Sequence, residues 1–224
     1  MSNLSVIYED NHILVVNKAS GLLVQGDQTG DESLVDIAKR HIKDKYKKSG
    51  DVFLGLVHRL DRPTTGIIVL ARTSKALSRL NQQFRVRAPK KIYRAVVSGT
   101  PETYTRLEHY LKKNSSQNKS FHYPKNTPNT KHAILRYHYV EQLESYHVIE
   151  IELETGRHHQ IRAQLAAVGL HIKGDLKYGA KRPNPNGSIH LHARSLLFVH
   201  PTKREEMKFI APYPNDVIWN SLTD

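Results

Sequence analysis

The chain has 224 residues and carries 34 Lys and Arg against 21 Asp and Glu, a formal net charge of +13, with a sequence pI near 9.8. An excess of that size points to a polyanionic partner, nucleic acid ahead of a membrane surface, since no basic amphipathic helix with aromatics on its apolar side is visible. The absence of cysteine excludes disulfides and thiolate metal sites, no apolar run reaches the roughly 18 residues of a membrane span, and MSNLSVIYEDNH lacks a signal-peptide pattern, so a cytoplasmic protein is expected.

SVIYEDNHILVVNKASGLLVQGD opens with a short strand, a turn at Glu9–Asn11, a strand at Ile13–Asn17 and a loop around Gly21. Residues 33–48 place Leu34, Ile37, Ala38, Ile42 and Tyr46 at helical spacing on an otherwise basic segment. GIIVLA, residues 66–71, is an unbroken apolar run bounded by Gly, the pattern of a strand buried on both faces. Residues 74–84 predict a helix with Ser74 as N-cap and a core stripe of Ala76, Leu77, Leu80 and Phe84. KKIYRAVVSG, residues 90–99, is strand-like. Residues 100–131 are polar, lysine-rich and interrupted by Pro, and are expected as a variable insertion in a loop, with an RNA-contacting mobile loop as the alternative.

HAILRYHYVEQ and YHVIEIELETG follow as strands. In the second, Ile149, Ile151 and Leu153 alternate with Glu150, Glu152 and Glu154, a half-buried strand with a wet acidic face. Residues 157–169 carry Ile161, Leu165 and Val168 as a helical stripe closed by Gly169. IHLHARSLLFVHP and KFIAP close the chain as strands. Adjacent strand pairs without a βαβ rhythm predict an α+β fold on a largely antiparallel mixed sheet flanked by helices. No internal repeat and no linker composition appears, so one domain over residues 1–224 is expected.

Neither a phosphate-binding glycine loop nor a dinucleotide fingerprint occurs, so no cofactor is expected. The histidine pairs 158–159 and 190–192 lack metal-site spacing, although His190 and His192 would share one strand face; no metal is expected. The remaining chemistry lies in GLVHRLDRPTTGIIVLART, residues 55–73, where Asp61 sits between Arg59 and Arg62 just before the buried strand. An Arg in contact lowers an Asp pKa by roughly 1–3 units from about 3.9. Such a carboxylate stays ionised, a poor general acid and a usable nucleophile or base. From these residues alone, a structural ion pair at a strand entrance competes with catalysis.

HRLDRPTTGIIVLART resembles the catalytic motif of the RluA-type pseudouridine synthases, H-R-L-D-x-x-T-S-G-h-h-h-h-A with h apolar; Thr65 stands where Ser is commoner. NKASGLLVQGD resembles that family's N-terminal segment, with Ala19 where Pro is usual. KKIYRAVVSG resembles its K-x-Y strand, and ETGRHHQIRAQLAAVGLHIKGDLKYG with the later LHA resembles its third motif. The four segments keep the family's order across residues 6–214. Relatives often carry a small S4-type RNA-binding domain in front; the resemblance begins near Val6, so a core without it is expected.

The resemblance implies a pseudouridine synthase-like catalytic domain that isomerises uridine in RNA without metal or cofactor, acting on large-subunit ribosomal or transfer RNA. It implies Asp61 as the catalytic carboxylate, Tyr93 as the tyrosine that packs on the target base, and Arg162 as the arginine paired with the carboxylate. Arg157, at the start of the same segment, is the alternative partner or a phosphate ligand. Arg59 is expected to enter the base stack when the uridine is flipped out, a role that suits a planar guanidinium. His58, Arg62 and Lys91 complete the expected substrate-binding set. Two other functions fit parts of the pattern. An RNA glycosylase would use a carboxylate near C1′ and release uracil; a non-catalytic RNA-binding protein would need the charge but not Asp61.

Overall fold

The structure is a computed structural model and describes residues 4–222. The first three residues of the stretch read above for a signal peptide lie outside the described residues. In chain order the elements are β1 (Val6–Glu9), β2 (Ile13–Lys18), α1 (Leu34–Lys45), β3 (Gly55–Leu56), β4 (Thr65–Ala71), α2 (Ser74–Arg85), β5 (Lys90–Ser98), β6 (Tyr104–Asn114), β7 (Lys119–Tyr123), β8 (Lys131–Gln142), β9 (His147–Leu153), α3 (Gln160–Ala167), β10 (His171–Ile172), β11 (Leu191–Val199), β12 (Glu206–Ile210) and α4 (Val217–Asn220), with a 3-10 turn at Leu176–Tyr178. The fold is α+β with mostly antiparallel strands. Two compact units divide it: Met1–Pro89 with Ala193–Asp224, and Lys90–His192. Among the described residues no helix is long and apolar enough to cross a membrane.

In the first unit the strand order is β1-β2-β4-β11, with β12 on β11 and β3 on β4. β4 is buried along its whole length, as its unbroken apolar run predicts. Side chains alternate across a strand, so its two faces feed two cores. Ile67 and Val69 join Ile13 and Val15 of β2, Leu80 of α2, and Leu196, Phe198 and Phe209 of β11 and β12. Ile68 and Leu70 join Leu14 and Val16 with Leu34, Ala38 and Ile42 of α1. Each Val, Leu, Ile or Phe among them is worth roughly 1.5–3 kcal/mol of burial. Gly66 permits the close approach of β11: its φ is +115°, and a Cβ there would lie 2.6 Å from the Ala193 nitrogen and nearer still to its oxygen.

The helix caps refine the expected boundaries. α1 starts on a reciprocal box in which Ser33 Oγ accepts from Asp36 N and Asp36 accepts from Ser33 N. It ends at Lys45, so Tyr46 is an exposed C-cap rather than a core position. For α2 the N-cap is Thr73, not Ser74: Thr73 is extended and its Oγ1 accepts from Ala76 N at 3.1 Å.

The second unit orders its strands β5-β9-β8-β6-β7, with β10 on β5. Ile149, Ile151 and Leu153 are buried as expected, and the facing acids are paired: Glu150 with Arg94, Glu152 with Lys90, Glu154 with Arg136. Residues 100–131, expected as a loop, instead contain β6 and β7, a hairpin in register from Tyr110↔Tyr123 to Asn114↔Lys119. α3 is shorter than residues 157–169. His159 takes a left-handed φ of 52°, and Gln160 Oε1 accepts from Arg157 N at 2.9 Å in place of a helical turn. Val168, expected in the stripe, is exposed, and Gly169 ends the helix with positive φ.

Candidate active site

In the first unit, the segment carrying Asp61 is stitched to the loop after β2. Lys18 is 1 % exposed, and its Nζ donates to three carbonyl oxygens: Ala19 at 2.9 Å, Leu22 at 2.8 Å and Arg62 at 3.1 Å. Three acceptors match the three donors of an ammonium. Burial pulls this group down to about 7, while the nearby Asp61 carboxylate pulls it up and Arg62 pulls it down. Gly21 N donates to Arg62 O at 2.9 Å, and Arg62 Nε returns a bond to Gly21 O at 2.9 Å. Ser20 Oγ donates to Pro63 O, and Thr64 N to Asp61 O. The carboxylate therefore rides on a backbone turn fixed from behind by a buried cation. Asp61 itself is partly exposed.

The neighbours of Asp61 fall into different environments. Arg59 is exposed, and its guanidinium has no ion pair among the described residues. Arg62 pairs with Asp31 at 2.8 Å, which makes it a bracket between the two loops. His58 Nε2 accepts from Val69 N at 3.1 Å, so its proton lies on Nδ1, and its ring stacks on Phe84 at 5.0 Å. The ring thus ties the HRLD segment to β4 and α2.

In the second unit, Tyr93 is buried on β5 opposite Ile151 of β9. Lys91 is partly exposed on the same strand. Arg162, on the first turn of α3, is buried and forms a bidentate pair with Asp175: Nε to Oδ2 at 2.6 Å and Nη2 to Oδ1 at 2.8 Å. Its guanidinium also lies 5.0 Å from the Tyr178 ring centre. Tyr178 OH is held by His159 Nδ1 at 3.0 Å and by Ser120 N at 2.8 Å. Burial, then the charge of Arg162, pushes His159 down to about 2, so it serves this network as a neutral imidazole. Arg157 Nε donates to His132 O at 2.9 Å.

Lys18, Asp175 and Tyr178 are the members that residue patterns did not single out, although all three lie inside the quoted motif segments. The available signals were a lysine ending the β2 strand that begins with the apolar run Ile13–Val16, and a Gly174-Asp175 turn that only a left-handed residue can make, with Gly174 at φ +87°. His190 and His192 are both buried, and His190 Nδ1 bonds Asn184 at 2.9 Å. Among the described residues no group of three or more His, Asp or Glu is placed to hold a metal ion.

Comparison with known proteins gives consistent matches. The family model described as RNA pseudouridylate synthase matches residues 12–167. A Zymomonas mobilis protein named ribosomal large subunit pseudouridine synthase D is 32% identical over 224 residues, covering 96% of this chain and 70% of its own length. A Vibrio cholerae protein of the same name is 31% identical over 234 residues, covering 98% of this chain and 70% of its own. Among solved structures, human RNA pseudouridylate synthase domain containing 4 superposes with a TM-score of 0.80 at 24% identity, covering 96% of this chain and 90% of that one.

Proposed function

The chain belongs to the RNA pseudouridylate synthase family, and from that membership we propose that it converts specific uridines of structured RNA to pseudouridine by base flipping and an Asp61-dependent rearrangement. As a member it is an RNA-modifying isomerase. The names of its relatives favour large-subunit ribosomal RNA as the substrate pool over transfer RNA, and the proposal places the reaction in the cytoplasm.

The reaction relocates one glycosidic bond. N1–C1′ of uridine breaks, the uracil turns, C5 joins C1′, and the proton lost from C5 is balanced by one taken up at N1. An ionised carboxylate at the ribose serves as nucleophile or base. The observation that carries the reading is HRLD at residues 58–61 inside the family match, on a turn held by the buried Lys18 ammonium. A fixed turn matters because a catalytic group misplaced by about 1 Å loses on the order of 100-fold in rate. Flipping the uridine costs a few kcal/mol, and the exposed guanidinium of Arg59 suits the vacated stack. Tyr93 keeps the role the motif implies against the target base, and Arg162 that of a fixed positive charge. Arg62 and His58 hold the catalytic segment, while Lys91 and Arg157 contribute positive charge toward RNA phosphates.

Tritium release from RNA labelled at uridine C5 tests the proposal, with ribosomal and transfer RNA transcripts as substrates. Wild type should release tritium without free uracil, and Asp61→Asn should release none. Free uracil would make the protein a glycosylase. Full activity in Asp61→Asn would remove Asp61 from the chemistry.

A further inference from the structure

The β6–β7 hairpin carries a basic surface with exposed aromatic character. From His109 to Val140 the chain has five Lys and one Arg and no Asp or Glu. Elsewhere on these strands cations are matched with acids: Arg94 with Glu150, Lys90 with Glu152, Arg106 with Glu108. On the hairpin, Lys112, Lys113, Lys119 and Lys125 have no ion pair among the described residues. Lys112 stands directly across from Phe121, and Tyr110 across from Tyr123, so these four share one face of the hairpin. That face points away from the buried side, which carries Leu111 and Ser120. Phe121 is 38 % exposed, with the Lys119 ammonium 5.6 Å from its ring centre.

The hairpin is also anchored. Ser120 Oγ donates to His158 O at 2.7 Å, and Lys177 Nζ donates to Asn118 O at 3.1 Å. Ser120 N bonds the same Tyr178 hydroxyl that belongs to the Arg162 support. An exposed aromatic ring on a rigid strand, flanked by unmatched lysines, offers base stacking and phosphate neutralisation together. Duplex RNA hides its base faces, so stacking of this kind selects unpaired nucleotides.

We propose that the β6–β7 hairpin grips single-stranded RNA flanking the target uridine, with bases on Phe121 and Tyr123 and phosphates on Lys112 and Lys119. The inference rests on RNA being the substrate and adds where and in what form it is held. Fluorescence anisotropy of the full chain with a labelled oligouridylate, and with an RNA duplex of matched length, tests it without turnover. Its outcome is therefore separable from that of the Asp61 experiment. Phe121→Leu keeps apolar volume and removes the ring; it should weaken oligouridylate binding roughly fivefold or more and leave duplex binding unchanged. Lys112→Gln with Lys119→Gln should reduce the salt slope of log K by about 0.7 per lysine. In tritium release these variants should raise KM with kcat retained. Unchanged oligouridylate binding in both variants, or equal losses on single strand and duplex, would overturn the proposal.

Discussion

Removing the Asp175 carboxylate should expose how Arg162 is held. The two side chains are 2 % and 5 % exposed and share two short bonds. Asp175→Ala leaves a buried guanidinium without this partner, and breaking a buried pair from one side costs about 3–5 kcal/mol. The Tyr178 ring 5.0 Å away still faces the cation, which favours the lower end of that range. For a chain of this length each kcal/mol moves the melting temperature by about 2–4 °C, so a fall of roughly 6–20 °C is expected. Asp175→Asn keeps one acceptor and should lose about half as much. Circular dichroism melts read the stability, and tritium release below the transition reads the chemistry. Replacing both partners, Asp175→Leu with Arg162→Met, should recover stability, because a buried pair and an apolar pair of similar volume are often close in free energy. Activity should stay lost. A melt of Asp175→Ala within about 2 °C of wild type would refute the stability argument. Recovery of activity in the double variant would show that Arg162 is a structural residue only.

Gly66→Ala should destabilise by more than about 2 kcal/mol in urea titration, since φ is +115° and the new Cβ would collide with Ala193 on β11; a loss under about 0.5 kcal/mol would mean that β11 shifts without cost. Glu9 gives a pH signature. Burial pushes its carboxyl up, but bonds from Lys45, Tyr46 and His41 outweigh that and bring it from 4.5 to about 2. A depressed carboxylate stabilises the fold above its unfolded pKa, and the gain disappears as pH falls through the folded value. Glu9→Gln should therefore lag wild type by up to about 3 kcal/mol at neutral pH. The gap should close between pH 4.5 and about 2; a gap independent of pH would assign Glu9 a packing role instead.

The legible parts of the fold were those with one dominant period. GIIVLA had no polar interruption, and β4 is buried on both faces. Leu34, Ile37, Ala38 and Ile42 had helical spacing, and all four are buried. The hairpin at residues 104–123 leaves little trace in the sequence because only Leu107, Leu111 and Ser120 are buried along it. With polar residues on both faces the strands carry no apolar alternation. The start of α3 lies later than the apolar stripe implies because a left-handed His159 and the Gln160 side chain shape the preceding turn, and periodicity carries neither. The division into units left no mark in composition, since one boundary, between His192 and Ala193, falls inside β11. At the site, HRLD was legible through its resemblance to a known motif. The Arg162–Asp175 pair was not: a glycine turn closes a 13-residue gap, and spacing alone does not say which acid will face the arginine.

The first unit is interrupted in sequence. Its β4 packs beside β11, and Leu196, Phe198 and Phe209 complete the core around Ile67 and Val69. On the ribosome those three side chains emerge only after the whole of Lys90–His192 has been made. At about 5–20 residues per second, roughly 100 residues take on the order of 5–20 s. For that interval the nascent β2–β4 pair has one apolar face half covered and one strand edge open, the kind of surface that recruits neighbouring strands. The second unit, contiguous in sequence, has no such wait. Newly made chains should therefore depend on chaperone shelter for their first unit, and truncation before residue 193 should yield aggregates rather than a soluble fragment.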